Sequence, residues 1–426
     1  MKQKVAVEDL RIGMYVAELD RPWRETPFLF QGFEIRDEDD LARLRQYCRH
    51  VFVESREEVT IKPRSFAAPP RGPGVSAESP TRAAAPHLKT SDYSVLQRFQ
   101  PGARHTPRYA DQVTVEQELP QARELASHVH NVVVATMEDV RLGRSLDAPM
   151  ARQCVSGMVD SIIRNPDALL WLNELKHKDR YTLEHSVRVC VLALAFGRHL
   201  ELPPEELQVL GLGALLHDIG KMKVPNEILN KPGRLTEEEF AIMKSHVPQG
   251  VAILEATSQI PEAAIEVARY HHERFNGGGY AGGLRGETIG LFGAIGAIVD
   301  CYDAITSDRV YHNGMAAHEA LGKMYAWRQT DFHPGLVEQF IQCVGVFPTG
   351  SIVELSTGAI GVVIAQHRTR RLRPRVALIL NADRTPFEPV KIVDLMELGI
   401  HDLEIRSCLP SGSFGIDPTE YLRLVG

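Results

Sequence analysis

The adjacent pair His217 and Asp218 is the part of this chain whose residue types most clearly suggest metal binding or catalysis. The pair ends the mostly apolar segment GALLHDIGK, where desolvating both side chains is costly unless they are paired or bound to a metal. An imidazole nitrogen beside a carboxylate can serve two cations, with the carboxylate as the bridge. Taken alone, the pair is equally well explained as a neutral core histidine hydrogen-bonded to a capping aspartate, because buried polar groups usually find ordinary partners.

Five further side chains of the same kind lie in other segments: His185, His246, the doublet His271-His272, and Asp300. His185 or His246 alone would more often be a structural histidine than a ligand. The doublet closes an apolar helix and opens a glycine-rich loop. Asp300 has apolar neighbours on every side, where an unpaired carboxylate would lose its charge. Together the seven side chains predict a buried centre that holds more than one metal ion.

The donor set favours particular metals and one kind of reaction. Imidazole and carboxylate without thiolate suit Fe, Mn, Co or Zn. Two divalent ions would outweigh the negative charges of Asp218 and Asp300, and the surplus would attract a phosphate group. Paired ions can hold a hydroxide for in-line attack and stabilise the leaving oxygen. Phosphoester hydrolysis is therefore the predicted chemistry.

Three cationic side chains and one loop are candidates for holding an anionic substrate. Lys221, one turn after His217, can reach a phosphate oxygen, although a solvated lysine at a helix end is the alternative. Arg309 in SDRVYHNG offers a bidentate phosphate contact, and Arg274 is a second candidate; either could instead form a structural ion pair. The loop GGGYAGG around Tyr280 permits close backbone approach to a ligand, and the alternative is a plain surface loop.

Composition along the chain predicts a multidomain protein, since 426 residues are enough for two or three cores. Residues 1–62 predict a small α+β module. Residues 63–107 predict a flexible linker, because their Pro, Ala, Ser and Gly cannot bury enough apolar area to offset chain entropy. Helical periodicity predicts an all-α domain over 108–345. Residues 346–426 predict a β-rich extension with a short helix near 392–399.

Overall composition argues against two other classes of protein. The formal charge of -7 argues against a binder of nucleic-acid polymers, which needs a basic surface. No stretch approaches the ~20 uninterrupted apolar residues of a membrane span, and the N-terminus lacks the apolar region of a signal peptide. The six cysteines have no CxxC spacing and fit reduced thiols. A cytoplasmic location is expected.

The motifs, taken in order, resemble the HD-GYP subgroup of the HD phosphohydrolase superfamily, whose members hydrolyse the bacterial second messenger cyclic di-GMP. They lie between about Leu175 and Tyr311 and read HSVRV, HDIGK, HVPQG, HHERFNGGGY and DCYDAITSDR. Residues 1 to about 140 resemble the small module that often precedes this domain. The tail after about 345 resembles the β-rich extension often found there. The resemblance thus covers nearly the whole chain and implies a central all-α HD-type helical bundle.

The resemblance also implies the roles of the site residues, with iron or manganese as the ions. Asp218 would bridge the two ions, Lys221 would assist at the scissile phosphate, and Arg309 and Tyr280 would contact the substrate. The metal ligands implied beside Asp218 are His185, His217, His246, His271, His272 and Asp300.

Three departures from the family pattern bear on activity. Tyr181 stands where some members have a glutamate that ligates a third ion, so we expect two ions. In the loop, Asn276 replaces an aspartate and removes a charge, while Ala281 replaces a proline and is expected to loosen the loop by freeing φ. His312 replaces a basic residue and is mostly uncharged near neutral pH, which would weaken phosphate binding.

The sequence therefore predicts a metal-dependent phosphodiesterase that converts cyclic di-GMP to the linear dinucleotide pGpG and on to GMP. Two alternatives stay open: a sensor that binds cyclic di-GMP with weak or no cleavage, and an HD phosphohydrolase for another nucleotide. Protein partners bound through the GGGYAGG loop or the N-terminal module, and a homodimer, stay open as well.

Overall fold

The computed structural model describes residues 2–20, 33–35, 38–54, 93–99, 106, 108–173, 181–307, 314–367, 372–397, 403–410 and 412–421. The chain divides into two compact units, residues 1–89 and 90–426. None of the helices in the described ranges combines the length with the apolar character that a bilayer crossing requires.

The first unit is a small α+β module. Its antiparallel sheet has the order β1-β4-β2-β3. The elements are β1 (Lys2–Ala6), β2 (Tyr15–Leu19), β3 (Phe33–Glu34), α1 (Glu38–Tyr47) and β4 (His50–Glu54). Val16 and Val51 on the sheet and Leu44 on α1 are fully buried in one apolar cluster. This unit has the α+β character that the sequence predicts.

The second unit begins with a helical domain that extends to Val344. Its first helix starts at a capping box in which Thr114 and Gln117 satisfy each other's backbone N–H groups. The helices are α2 (Val115–Arg141), α3 (Ala148–Arg164), α4 (Pro166–Asn173), α5 (Tyr181–His199), α6 (Pro204–Leu216), α7 (Asn226–Leu229), α8 (Glu237–Lys244), α9 (His246–Ala256), α10 (Glu262–Tyr270), α11 (Leu291–Thr306), α12 (Ala317–Ala326) and α13 (Pro334–Val344).

Helices α5 and α6 lie at the centre of this domain because they are apolar nearly all round. Residues 189–196 of α5 are buried without interruption, and so are residues 210–216 of α6. A Cβ atom at Gly211 would lie 2.8 Å from side-chain atoms of Leu194 and Val155, so this glycine lets the helices approach closely. Helix α6 therefore ends in the domain interior, and the polar residues that follow it are delivered there.

A short 3-10 helix, Tyr93–Phe99, packs against the helical domain, and we call it the aromatic strap. The ring of Tyr93 stacks on His333 with centroids 4.2 Å apart, and Phe99 stacks on His199 at 5.5 Å. Such pairs contribute about 0.5–1.5 kcal/mol each. The strap lies inside the range 63–107 that the sequence predicts to be a flexible linker. The strap differs from that prediction because its aromatic side chains supply apolar area that the Pro- and Ala-rich stretch lacks. Most of residues 63–107 lie outside the described residues.

The C-terminal part forms a five-stranded antiparallel sheet in the order β8-β7-β6-β5-β9, as a β-rich extension predicts. Its elements are β5 (Ile352–Leu355), β6 (Ile360–Ala365), β7 (Arg375–Leu380), β8 (Pro386–Asp394) and β9 (Ile405–Leu409), followed by α14 (Pro418–Tyr421). The predicted short helix near 392–399 is wrong over its described part. Ile392 and Val393 pair with β7, and Val393 and Leu395 are buried in the sheet core, so strand pairing outweighs local helical pattern.

Candidate metal centre

The seven side chains predicted as metal ligands meet in the interior of the helical domain. Helix α5 carries one, the end of α6 two, the start of α9 one, the end of α10 two, and α11 one. Six of the seven residues are buried, and His272 is partly exposed. In chain order they are His185, His217, Asp218, His246, His271, His272 and Asp300.

Asp218 lies between two pairs of histidines. Its Oδ2 atom is 3.4 Å from Nε2 of His185 and 3.3 Å from Nε2 of His217. Its Oδ1 atom is 3.4 Å from Nε2 of His246 and 3.8 Å from Nε2 of His271. Each carboxylate oxygen thus faces its own pair of imidazoles, which is the arrangement that a bridging carboxylate needs.

Three groups of potential ligands form at this centre, and in each the donor atoms lie within 4.8 Å of one another. Two of them share no residue: the first comprises His185, His217 and Asp300, and the second His246, His271 and His272. The third comprises His217, Asp218 and His271 and joins the other two. Asp300 lies 3.0 Å from His185 through Oδ1 and 4.0 Å from His272 through Oδ2, so it borders both the first and the second group.

Three of the histidines are oriented with one ring nitrogen directed at this centre. The Nδ1 atoms of His217, His246 and His271 lie 2.8, 2.6 and 2.9 Å from the carbonyl oxygen three residues earlier in the chain. Because a carbonyl only accepts, Nδ1 carries the proton and the neutral ring has its lone pair on Nε2. These three Nε2 atoms and Oδ1 of Asp218 are buried without a hydrogen-bond partner in the described part of the chain. Buried acceptors left unsatisfied are costly, and metal ions would satisfy all four.

Burial keeps the second group ready for a metal. It lowers the pKa of His246 and, far more strongly, that of His271. It also lowers the pKa of His272 to about 3. Only a neutral imidazole can bind a cation. These three rings therefore bind a metal near neutral pH without first releasing a proton.

The two carboxylates and His185 are ionised in the absence of a cation. Burial alone would raise the pKa of Asp218, but Lys221 and the surrounding histidines hold it well below its usual range. Hydrogen bonding to His185 does the same for Asp300. Burial would lower the pKa of His185, but its bonds to Asp218, Asp300 and Asp303 raise it well above the usual value. A metal that binds His185 must therefore displace its proton.

Asp303 and Arg188, which the sequence analysis missed, hold His185 in place. His185 Nδ1 lies 2.7 Å from Asp303 Oδ2, and Arg188 donates to both Asp303 oxygens at 2.6 and 3.0 Å. A carboxylate behind a histidine is the usual support for a metal ligand. The signal was visible in the spacing: Asp303 follows Asp300 by three residues and Arg188 follows His185 by three, which places each pair on one helix face.

Gly220 explains why the HDIGK segment is positioned so closely against α9. A Cβ atom at this position would lie 1.9 Å from the carbonyl oxygen of His246, so only glycine allows the approach. That approach brings Asp218 within reach of His246. On the other side of Asp218, the Lys221 ammonium donates to Oδ2 at 2.5 Å and is partly exposed.

The glycine-rich loop is anchored by Glu273, a third residue that the sequence analysis missed. The fully buried Glu273 carboxylate accepts hydrogen bonds from the backbone N–H groups of Gly282, Gly283 and Leu284 at 2.6, 3.0 and 3.1 Å. Its position in the HHER motif was the available signal. The loop carries Tyr280, whose ring stacks on His272 with centroids 4.5 Å apart.

Two loop residues that depart from the family pattern have defined structural roles. The Asn276 side-chain oxygen accepts from the N–H of Gly278 at 2.7 Å and closes a turn, as an aspartate would. Ala281 has a φ of +97°, in the region that favours glycine. Proline, fixed near −65°, cannot adopt this conformation, so the alanine uses a φ that the family's proline does not allow; that the loop is looser stays a prediction.

The remaining predicted contacts are less well defined. The Arg274 guanidinium lies over the ring of Phe332 at 5.5 Å and donates to the Glu273 carbonyl at 3.1 Å. Its role in substrate binding stays a prediction. Arg309 and His312 lie outside the described residues, as does the side chain of Tyr181.

Three parts of the chain match known families. Residues 170–336 match the HD domain, residues 2–151 match a domain of unknown function (DUF3391), and residues 352–399 match a KOW domain associated with the HD domain. With these matches, the predicted fold class is confirmed: a multidomain protein with a central HD-type helical bundle, a small α+β N-terminal module and a small β-rich C-terminal extension.

Curated relatives extend the comparison to nearly the full chain. A cyclic di-GMP phosphodiesterase of Pseudomonas aeruginosa is 37% identical over 404 residues, which cover 94% of this chain and 91% of the relative. A cyclic di-GMP phosphodiesterase response regulator of Xanthomonas campestris is 35% identical, over 42% of this chain and 49% of the relative. A 3'3'-cGAMP-specific phosphodiesterase of Vibrio cholerae is 33% identical, over 40% of this chain and 33% of the relative. The chain therefore belongs to the HD-GYP family of HD-domain phosphodiesterases.

Proposed function

We propose that this protein is a metal-dependent phosphodiesterase that hydrolyses cyclic di-GMP to pGpG and then to GMP in the cytoplasm. The proposal rests mainly on four buried acceptor atoms that have no hydrogen-bond partner among the described residues: Oδ1 of Asp218 and Nε2 of His217, His246 and His271. The name of the Pseudomonas aeruginosa relative, which matches along most of the chain, supports the choice of substrate.

Two divalent ions, iron or manganese, fit the donor set best. The possible ligand groups in the described ranges contain imidazole and carboxylate and no cysteine, which favours metals of intermediate hardness. Asp218 would bridge the ions. One ion would be bound by His185, His217 and Asp300, and the other by His246, His271 and His272. Bound ions would supply a hydroxide for attack at phosphorus and would stabilise the leaving oxygen.

The protein's own residues would bind and orient the substrate. Lys221, partly exposed beside Asp218, would direct its ammonium at an oxygen of the scissile phosphate. Tyr280 borders the centre through its stack on His272, so it would contact the substrate next to the phosphate. Arg274 and Arg309 are proposed as further substrate contacts on the basis of the sequence.

The test is turnover by protein purified without oxygen and analysed for metal. We expect two ions of iron or manganese per chain and conversion of cyclic di-GMP to pGpG and GMP, separated by chromatography. Asp218→Ala should lose both metal and turnover. Asp139→Ala is the matched control, since this aspartate forms an exposed ion pair with Arg144. Metal-loaded wild type that leaves cyclic di-GMP intact would refute the proposal.

A second candidate function is hydrolysis of another cyclic dinucleotide. It is favoured by the relative from Vibrio cholerae, whose name specifies 3'3'-cGAMP. Competition between 3'3'-cGAMP and cyclic di-GMP at equal concentration would rank the two by kcat/KM. Tight binding of cyclic di-GMP without any cleavage would instead favour the sensor alternative.

A further inference from the structure

A row of aromatic rings leads from the metal centre to the protein surface. The ring of His272, a member of the second ligand group, stacks on Tyr280 at an interplanar angle of 27°. Tyr280 in turn contacts the edge of Phe240 on α8, with centroids 6.3 Å apart and an angle of 78°. The row thus begins at a predicted metal ligand and ends at a ring on the surface.

Phe240 presents a large part of its ring to solvent. It is 46% exposed, so that part of its apolar area adds nothing to core packing and is open to a ligand. Ile242 on the same helix is 41% exposed but is not part of the row of rings. An exposed aromatic ring that reaches the predicted metal centre through a row of ring contacts is suited to bind a planar ligand.

Helix α8 holds this ring in a fixed position. Thr236 and Glu239 form a capping box at its start, and Lys231 donates to the Glu239 carboxylate. The helix leads directly through Ser245 into His246, so the distance from Phe240 to the metal centre is set by a short rigid segment. Rigid aromatic side chains bind with little loss of conformational entropy.

Lys244 adds positive charge to the same surface. Its ammonium lies 5.0 Å from the ring centroid of Phe240 and 5.9 Å from that of Tyr280. A planar ring next to an ammonium group matches a nucleotide, which joins a flat base to an anionic phosphate through one sugar. A cyclic dinucleotide has a second phosphate that is not being cleaved, and an ammonium outside the metal centre is suited to attract it.

We propose that Phe240 is a substrate-binding residue that stacks on a guanine base of the substrate, and that Lys244 attracts the phosphate that is not cleaved. This inference rests on the proposed function, because it takes cyclic di-GMP as the ligand. Base stacking on an aromatic side chain is sequence-tolerant and adds affinity rather than chemistry. Phe240 therefore affects substrate binding and leaves the chemical step unchanged.

The test compares binding and turnover in matched variants of the metal-loaded full chain. The binding probe is a phosphorothioate analogue of cyclic di-GMP, titrated by calorimetry. Phe240→Ala should weaken binding about 5- to 100-fold and raise KM for cyclic di-GMP by a similar factor, with kcat and metal content unchanged. Phe240→Trp should keep the affinity. Ile242→Ala, an equally exposed apolar truncation on the same helix, should match wild type. Lys244→Gln should weaken binding more at low salt than at high salt.

The outcomes separate this inference from the proposed function. Equal affinity of Phe240→Ala and Ile242→Ala in a protein that hydrolyses cyclic di-GMP would overturn the stacking role and leave the function standing. Binding that depends on Phe240 in a protein without turnover would support the stacking role and refute the hydrolase proposal. Absence of any binding by wild type would overturn the inference.

Discussion

Replacing Asp303 with asparagine tests whether the metal centre depends on the residues behind it. The Asp303 carboxylate is buried and serves three hydrogen bonds, one with His185 and two from Arg188. The bonds from His185 and Arg188 hold its pKa far below the usual range, although burial alone would raise it, so the native group is charged. Asparagine keeps the shape but lacks the charge, and its amide N–H groups would face donors.

The expected effect on metal binding follows from those three bonds. Without the charge-assisted bond to Asp303, the His185 imidazole is less firmly oriented and less basic. The loss of such a supporting bond lowers metal affinity about 10- to 100-fold. That factor equals about 1.4–2.8 kcal/mol. The same substitution breaks the ion pair between Asp303 and the buried Arg188 guanidinium, although Glu184 stays 3.6 Å from Arg188, and breaking a buried ion pair costs about 3–5 kcal/mol of stability.

Metal affinity and stability are measured separately so that unfolding does not mimic loss of metal. Affinity for Mn²⁺ is obtained by competition with a chelator, and stability by thermal unfolding in excess chelator. The double variant Asp303→Asn with Arg188→Met should recover stability, because it removes the buried guanidinium that has lost the Asp303 carboxylate, and should remain weak in metal binding. Asp139→Asn, which removes the charge of an exposed ion pair, is the control. A folded Asp303→Asn variant with Mn²⁺ affinity within twofold of wild type would refute the reasoning.

Three further predictions concern pH and the glycine-rich loop. Metal-free protein should melt at lower temperature as the pH falls from 7 to 5. The pKa values of His246, His271 and His272 are lowered in the folded state, so the unfolded chain binds protons that the folded chain does not. These three histidines outnumber His185, the one histidine of the cluster whose pKa is raised. A melting temperature that rises toward pH 5 would contradict the prediction. Ala281→Gly should stabilise by up to about 1 kcal/mol, whereas Ala281→Pro should lower kcat/KM, and a proline variant equal to wild type would argue against the positive φ. Glu273→Gln should speed hydrogen exchange at the amides of residues 282–284 by about tenfold or more, since it weakens charge-assisted bonds; unchanged exchange would exclude the anchoring role.

The ligand cluster could be predicted from sequence because its chemistry is local to each motif. A single histidine at the end of an apolar helix has a structural explanation, but the HDIGK and HHER segments each combine two candidate ligands, and seven such side chains together point to a metal centre. The central position of α5, α6 and α11 in the domain could be predicted too, since helices that are apolar nearly all round must be buried. What no pattern showed was the division of the ligands into two groups around Asp218, which depends on how the helices pack.

The residues that were missed act through contacts that no local sequence pattern reveals. Asp303 serves His185 across 118 positions, and Glu273 binds backbone N–H groups that have no sequence signature. The positive φ of Ala281 is set by closure of the loop and not by local preference, since alanine disfavours it. The helix predicted near 392–399 was wrong for a related reason. Pairing with β7 fixes the backbone there, and the periodicity of a single sequence carries no information about the partner strand.

The aromatic strap changes where the helical domain can be cut without damage. A truncated protein that starts at residue 108, the boundary that composition predicts, would lack Tyr93 and Phe99 and would expose the ring faces of His333 and His199. His333 also touches Phe275, at 5.4 Å, beside the HHER segment. Loss of the strap would therefore uncover an apolar patch next to the loop that carries Tyr280. A fragment starting at or before residue 90 keeps the strap and is the better starting point for study of the isolated domain.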